Sequence, residues 1–349
     1  MEKKYNLCYD ILTVLSCLMV VFFHTNGIVY SYSDTLSWKI SVVERCIVYS
    51  AIPIFFMLTG AKLMDYRCRY STKTYFKKRA QRILIPFVFW NIFYIIYQRV
   101  FSPAASFHSV KEFVSMLLNS EFQNRYWFFF PLFSVYAAIP VISLVLQAKN
   151  HRKHLWFAVC AIFALKWIFR PLCRLMGISY NADLTMPISD GYMGFVLFGY
   201  LVSTEQWSRC KRVVLYLLAV ASGIFAVGYT VFASASAGAT VQTMFSYQYF
   251  PSALTGAAIF VFVKHLFDKP AVTEALLRRN KPVQLIRTVS NCCMGVWLTH
   301  SLAITVFAGV LNFSSDRYLY RFVLPFFVFA GCVFGVWLVK KIPVFKHIV

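Results

Sequence analysis

The chain has 349 residues, of which 59% are hydrophobic and 14% charged, and its mean hydropathy is +0.62. Soluble domains carry roughly 25% charged residues, so this composition excludes a water-soluble protein and favours one membrane domain over residues 1–349. The net charge of +22 comes from short basic segments between apolar stretches. No nucleic-acid-binding motif accompanies these segments, so nucleic acid is not an expected partner.

Ten apolar stretches follow one another, each near the length of about 20 residues that a helix needs to cross a bilayer. We therefore expect an all-α integral membrane protein with about ten transmembrane helices, at residues 8–30, 40–62, 81–101, 126–147, 154–170, 187–204, 212–233, 250–267, 289–312 and 319–340. Lys3 and Lys4 precede the first stretch as in a signal peptide, but no small-residue cleavage motif follows. We interpret this stretch as an uncleaved first helix, with Asp10 as a cap at its start.

The basic residues predict the orientation of the chain in the membrane. With the N-terminus inside, 25 of the 35 lysines and arginines lie in or beside inside segments, and the 234–249 loop outside has none. This alternation follows the positive-inside rule, so both termini are predicted to be cytoplasmic in a multi-pass protein of the cell membrane. Some of these cations can also contact anionic lipid headgroups.

The ten cysteines are mostly within apolar stretches, and no CxxC motif occurs. We interpret them as small buried apolar residues, and we expect neither a disulfide framework nor a metal site.

Two histidines inside apolar stretches are the candidate catalytic residues. His24 lies toward the outer end of the first predicted helix, and His300 lies about halfway along the ninth. Ionisable groups at membrane depth are costly and usually face a cavity or a partner. Neutral imidazole suits a general base near pH 7. The alternatives are an interfacial histidine bonded to a carbonyl for His24 and a structural partner for His300.

Further polar and aromatic groups are candidates for binding. Arg79 and Arg82 are three residues apart at the start of the third predicted helix, so they share a helix face. Such a pair can bind phosphate groups with paired hydrogen bonds. The alternative is that the two arginines only orient the chain, as basic residues at the cytoplasmic side of a membrane protein do. Glu44 opens the second predicted helix near the outer face, where it is a candidate for the acceptor site. Trp127 is a candidate substrate-binding residue, with an interfacial belt or core packing as the alternative.

These residues belong to a pattern that resembles acyltransferase family 3, in particular its short surface-polysaccharide O-acetyltransferases. The resemblance covers nearly the whole chain and rests on the order and spacing of several weak motifs. They are Tyr9 to Thr13 and Leu18 to Thr25, Ile52 to Gly60, Arg79-x-x-Arg82 with Pro86, Tyr126 to Phe129 with Tyr136 and Pro140, Phe198 to Tyr200, Ser290 to His300, and Lys341 to Pro343.

The resemblance implies a reaction. Acyl-CoA, in particular acetyl-CoA, would be the donor substrate, held at Arg79 and Arg82 from the cytoplasm, with no permanently bound cofactor. His24 would deprotonate a hydroxyl of a surface glycan or of its lipid-linked precursor, or shuttle the acyl group. Family members usually carry an arginine eleven residues before this histidine, where the chain has Thr13, and many have histidine in place of Arg125.

Two other functions fit the sequence. Ten spans with proline and glycine breaks also suit a transporter or flippase of a glycan intermediate. The threonine at position 13 also suits a non-catalytic descendant of the enzyme family. The sequence does not indicate an oligomeric state.

Overall fold

The computed structural model describes residues 6–101, 109–121, 123–181, 184, 192–267, 280–311, 317–343 and 345–349. Over these residues the secondary structure is helical, with short 3₁₀ and π segments and no strand, which confirms the all-α prediction. The α-helices in chain order are α1 (Leu7–Thr25), α2 (Leu36–Val48), α3 (Ala51–Leu63), α4 (Thr72–Arg79), α5 (Ile85–Phe101), α6 (Val110–Leu118), α7 (Phe129–Ile142), α8 (His151–Ile162), α9 (Arg170–Leu175), α10 (Met193–Thr204), α11 (Arg209–Ala237), α12 (Phe250–Phe267), α13 (Asn280–Leu311), α14 (Tyr318–Phe322) and α15 (Leu324–Lys340).

Nine helical segments in the described part of the chain are long and apolar enough to span a membrane. They are Leu7–Thr25, Leu36–Cys68, Thr72–Phe101, Asn124–Gln147, His151–Leu175, Arg209–Ala237, Phe250–Phe267, Asn280–Leu311 and Tyr318–Lys340. The sixth predicted span, 187–204, corresponds to α10, which is apolar but has only 12 residues. The first five residues of that prediction, 187–191, lie outside the described residues.

The second span is longer than predicted because two helices form it. α2 ends at Val48 and α3 begins at Ala51, and the Ser50 hydroxyl donates to the Ile47 carbonyl at 2.7 Å at the junction. Pro53 has no backbone N–H to give to the carbonyl four residues earlier, so a continuous α-helical ladder cannot cross this point.

α1 lies at the centre of the bundle, packed against α3, α12, α13 and α15. Its start is capped by Asn6, whose side chain accepts from the Cys8 amide at 3.0 Å. The interpretation of Asp10 as a cap is therefore wrong. Asp10 instead accepts a hydrogen bond of 2.7 Å from Ser290 on α13 and ties the two helices together near the predicted cytoplasmic face.

α3 and α10 cross at a distance that only glycine allows. A Cβ at Gly60 would lie 1.8 Å from the Val196 carbonyl oxygen, and one at Gly199 would lie 2.1 Å from the Met57 carbonyl oxygen. Small residues of this kind let membrane helices approach closely. The crossing places α3, which carries part of the candidate site, firmly against the buried helix α10.

Candidate functional site

His24 lies in the last turn of α1, beside a buried pair of polar side chains. The Arg125 Nε donates to His24 Nδ1 at 3.2 Å, and the ring centroids of His24 and His300 are 5.1 Å apart. The structure thus brings together both histidines proposed from the sequence, although 276 residues separate them along the chain. It adds Arg125, which no argument from sequence alone had placed beside them.

The hydrogen bonds of the two imidazoles indicate their tautomers. His300 is 1% exposed, and its Nδ1 lies 2.8 Å from the Trp297 carbonyl and 3.1 Å from the Val296 carbonyl. Carbonyls only accept, so His300 Nδ1 carries the proton and Nε2 has a lone pair, which has no hydrogen-bond partner. His24 Nδ1 accepts from Arg125, so a neutral His24 carries its proton on Nε2.

A small cavity of about 10 Å³ lies next to His24. This is close to the space that one water molecule needs. Trp127 and Tyr247 line it, and their rings stack with centroids 5.3 Å apart. Tyr247 lies in the loop before α12, and burial raises the pKa of its hydroxyl, so the group is neutral at physiological pH. The predicted binding residue Trp127 is therefore adjacent to His24, where it forms part of the wall.

A second cavity of about 470 Å³ lies toward the predicted cytoplasmic face. Arg79 and Arg82 both line it, as their spacing suggested. The π-helical turn Ala80–Leu84 follows Arg79 and contains Arg82. Three further cations share the wall, namely Lys62, Arg69 and Lys78. The lining residues include no carboxylate.

Lys62 was not a candidate from the sequence, where it belonged to the basic loop. In the structure its Nζ donates to the Thr13 Oγ1 at 3.1 Å. A cation from α3 thus lies against α1 at the position where family members usually carry arginine. Only the tertiary packing of α1 on α3 reveals this contact, because the two residues are far apart in sequence.

Trp297 separates the two cavities, since its side chain lines both. It stacks on Phe128 with centroids 4.5 Å apart and meets Phe55 edge-on at 5.6 Å. Its indole Nε1 is buried without a hydrogen-bond partner. The ring is thus held by aromatic packing alone, which is easier to displace than a hydrogen-bonded indole.

Glu44 is buried on α2, away from both cavities. It is 8% exposed, and its carboxylate oxygens have no hydrogen-bond partner. Its electrostatic partners are Arg321 and Arg45. Arg321 itself donates to Ser37 Oγ at 2.7 Å, so these charges connect α2 with α14. Substrate binding by Glu44 stays a prediction, and its surroundings favour a structural role.

Among the described residues, no group of three histidine, cysteine, aspartate or glutamate side chains is arranged to hold a metal ion.

A family model described as an acyltransferase domain matches residues 6–340, nearly the whole chain. No curated protein and no solved structure matches the chain. The matched region contains every lining residue of both cavities.

Proposed function

The chain belongs to acyltransferase family 3 and is a membrane acyltransferase, and from this premise we propose that it moves an acetyl group from cytoplasmic acetyl-CoA to a hydroxyl of a surface glycan or of its lipid-linked precursor. One observation carries the proposal. The cavity with five cations and the cavity at His24 share one lining residue, Trp297.

The cation-lined cavity suits the donor. CoA carries several phosphate charges, and guanidinium groups bind phosphate oxygens with paired, charge-assisted hydrogen bonds. Arg79 and Arg82 are the proposed phosphate ligands, and Lys62 lies farther in, against α1. The thioester end of the donor would then point toward Trp297 and, once that ring moves aside, toward His24.

The histidine pair suits proton removal from the acceptor hydroxyl. Once Arg125 releases His24 Nδ1, that nitrogen can take the hydroxyl proton while His24 Nε2 passes its own proton to the lone pair of His300 Nε2. The acceptor oxygen attacks the thioester carbonyl, the C–S bond breaks, and the CoA thiolate leaves. The Trp297 and Val296 carbonyls stabilise the cationic His300. His300 then returns its proton to His24, which gives one proton to the CoA thiolate, so that both histidines end neutral.

Purified protein in lipid nanodiscs, incubated with acetyl-CoA and assayed for free thiol, tests the proposal. General base catalysis typically contributes about 10²–10⁴-fold. We expect His24→Ala to lower acyl-CoA-dependent thiol release by about 100-fold or more. His154→Ala, which changes an exposed histidine at the predicted cytoplasmic face, is the matched control.

Equal thiol release by the wild type and by His24→Ala would remove His24 from the reaction. Complete absence of thiol release in the wild type, even with a panel of sugar acceptors, would favour a non-catalytic descendant. Movement of a lipid-linked sugar across liposomes without thiol release would favour a flippase.

A further inference from the structure

A third cavity, of about 290 Å³, shares one lining residue, Tyr247, with the small cavity at His24 and none with the donor cavity. The Tyr247 ring therefore lies at the boundary between this cavity and the one at His24. The volume is near the lower end, roughly 300 Å³, of pockets that bind small molecules. It has room for a short saccharide unit at the predicted outer face. We refer to it as the outer cavity.

Aromatic rings make up much of its wall. Tyr49 and Tyr247 are buried or half-buried with ring centroids 4.6 Å apart, and Tyr49 stacks on Phe245 at 5.8 Å. Tyr192, also buried, stacks on Phe56 of α3 at 4.3 Å, so its position is fixed by the bundle. Rings anchored in this way offer flat apolar faces with hydroxyl groups at their edges. The C–H faces and hydroxyl edges of a pyranose ring match such a surface.

Two cations of the fifth span, Lys166 and Arg170, also line the outer cavity. Lys166 is only 8% exposed and lies in the π-helical segment Phe163–Phe169. Buried lysine within a spanning segment is costly and usually functional, and π segments are frequent at functional sites. An ammonium has three donors and a guanidinium five, so each can hold a protein partner and still donate to a ligand hydroxyl.

We propose that the outer cavity is the acceptor site and that it binds a saccharide ring between Tyr180, Tyr192 and Tyr247, with Lys166 and Arg170 donating to its hydroxyl or ring oxygens. This inference rests on the proposed function, since it places the acceptor of that reaction. Tyr247, which lines both cavities, would then lie between the bound sugar and the small cavity at His24. The donor would reach the histidine from one side and the acceptor from the other.

Binding of simple sugars to the full chain in nanodiscs tests the proposal without requiring the natural acceptor. The probes are methyl glucopyranoside, methyl N-acetylglucosaminide and methyl galactopyranoside, followed by saturation-transfer NMR and by quenching of tryptophan fluorescence. The variants are Tyr180→Ala, which removes an exposed ring, and Lys166→Met, which keeps the length of the side chain. Tyr229→Ala and Arg317→Gln are matched controls on the same predicted side that do not line the outer cavity.

We expect at least one sugar to bind the wild type and both controls equally, and to bind Tyr180→Ala and Lys166→Met at least tenfold more weakly. Thiol release from acetyl-CoA without sugar should be unchanged in the two controls, Tyr229→Ala and Arg317→Gln, which lie outside the outer cavity. Sugar binding that is equal in all variants, or absent for every probe in the wild type, overturns the proposal. Absence of thiol release by the wild type would instead contradict the proposed function. The experiment therefore distinguishes failure of the acceptor-site proposal from failure of the proposed function.

Discussion

Lys62 crosses from α3 to α1, where its Nζ meets the Thr13 hydroxyl at 3.1 Å on the wall of the donor cavity. A short polar side chain at position 13 leaves room for this contact. An arginine there would project its own guanidinium into the same space. The two arrangements present a cation at the same place from different helices, which is why the threonine does not by itself indicate a non-catalytic protein.

Lys62→Met is expected to weaken donor binding. A hydrogen bond to a charged group is worth about 1.5–3 kcal/mol, so the KM for acetyl-CoA should rise about tenfold or more, while kcat changes less. Steady-state thiol release at varied acetyl-CoA checks this. Lys153→Met, at an exposed position of α8, is the control.

The double variant Thr13→Arg with Lys62→Met separates charge from packing. If the cation is what matters, arginine on α1 should restore much of the lost affinity. An unchanged KM in Lys62→Met, or no recovery in the double variant, would contradict this role.

The ionisable residues at membrane depth, where a charge is energetically unfavourable, could be identified from the sequence. The contacts between them could not. His24, His300, Arg79 and Arg82 stood out because ionisable groups are rare at or beside membrane depth. The position of Lys62 depends on how α1 packs on α3. The role of Trp297 is also a tertiary property, since a tryptophan in an apolar stretch has no distinguishing sequence signal.

Trp297 should limit the size of the acyl group that passes from the donor cavity to His24. Trp297→Leu keeps an apolar side chain but shortens the wall between the cavities. We expect thiol release from butyryl-CoA, relative to acetyl-CoA, to rise about tenfold, because each methylene in a tight pocket is worth about 1–3 kcal/mol.

Rates with acyl-CoA donors of two to six carbons measure this selectivity. Trp337→Leu, which alters a partly exposed tryptophan on α15, is the matched control. The same ratio of butyryl to acetyl transfer in Trp297→Leu and in the wild type would show that this ring is not the limiting wall.

At the scale of helices, α3 and α10 approach each other so closely that a side chain added at Gly60 or Gly199 would clash with the backbone of the other helix. Gly199→Ala places a methyl group 2.1 Å from the Met57 carbonyl oxygen, and backbone cannot yield as a flexible side chain can. Overpacking typically costs about 1–3 kcal/mol, and occasionally more. We expect a lower unfolding temperature in detergent and a smaller monodisperse fraction.

Thermal unfolding followed by fluorescence-detected size exclusion measures this loss. Gly228→Ala on α11 is the control, because an added Cβ there meets nothing within 4 Å. If Gly199→Ala unfolds at the same temperature as Gly228→Ala, the helices cross less tightly than the structure indicates.

Hydropathy predicted ten spans, and nine of them correspond to helical segments of the described residues that are long enough to cross a membrane. Helix ends and breaks were less predictable. α10 has 12 residues, about 18 Å of helix, which is short of the ~30 Å hydrocarbon thickness. Most of α10 is buried by its neighbours rather than exposed to lipid. Apolarity alone does not distinguish a helix covered by protein from one covered by lipid, so the sequence predicted a full span.

At the scale of the whole molecule, the proposed reaction requires the two ends of the bundle to face different compartments. The donor cavity lies beside the most basic loop, and the outer cavity shares Tyr247 with the small cavity at His24, in the last turn of α1. The loop charges predict that the basic end is cytoplasmic. The cysteines allow this orientation to be measured, since Cys68 and Cys210 are exposed at that end.

A membrane-impermeant maleimide should label Cys68 and Cys210 in inverted vesicles and leave them unlabelled in intact cells. Cys160 is also exposed but lies within the span His151–Leu175, where a membrane-impermeant reagent does not reach it. Ala239→Cys, placed in the loop after α11 in a background with Cys68→Ala and Cys210→Ala, should show the opposite pattern. Labelling of Cys68 in intact cells would reverse the orientation, place the arginine-lined cavity outside, and exclude cytoplasmic acetyl-CoA as its ligand.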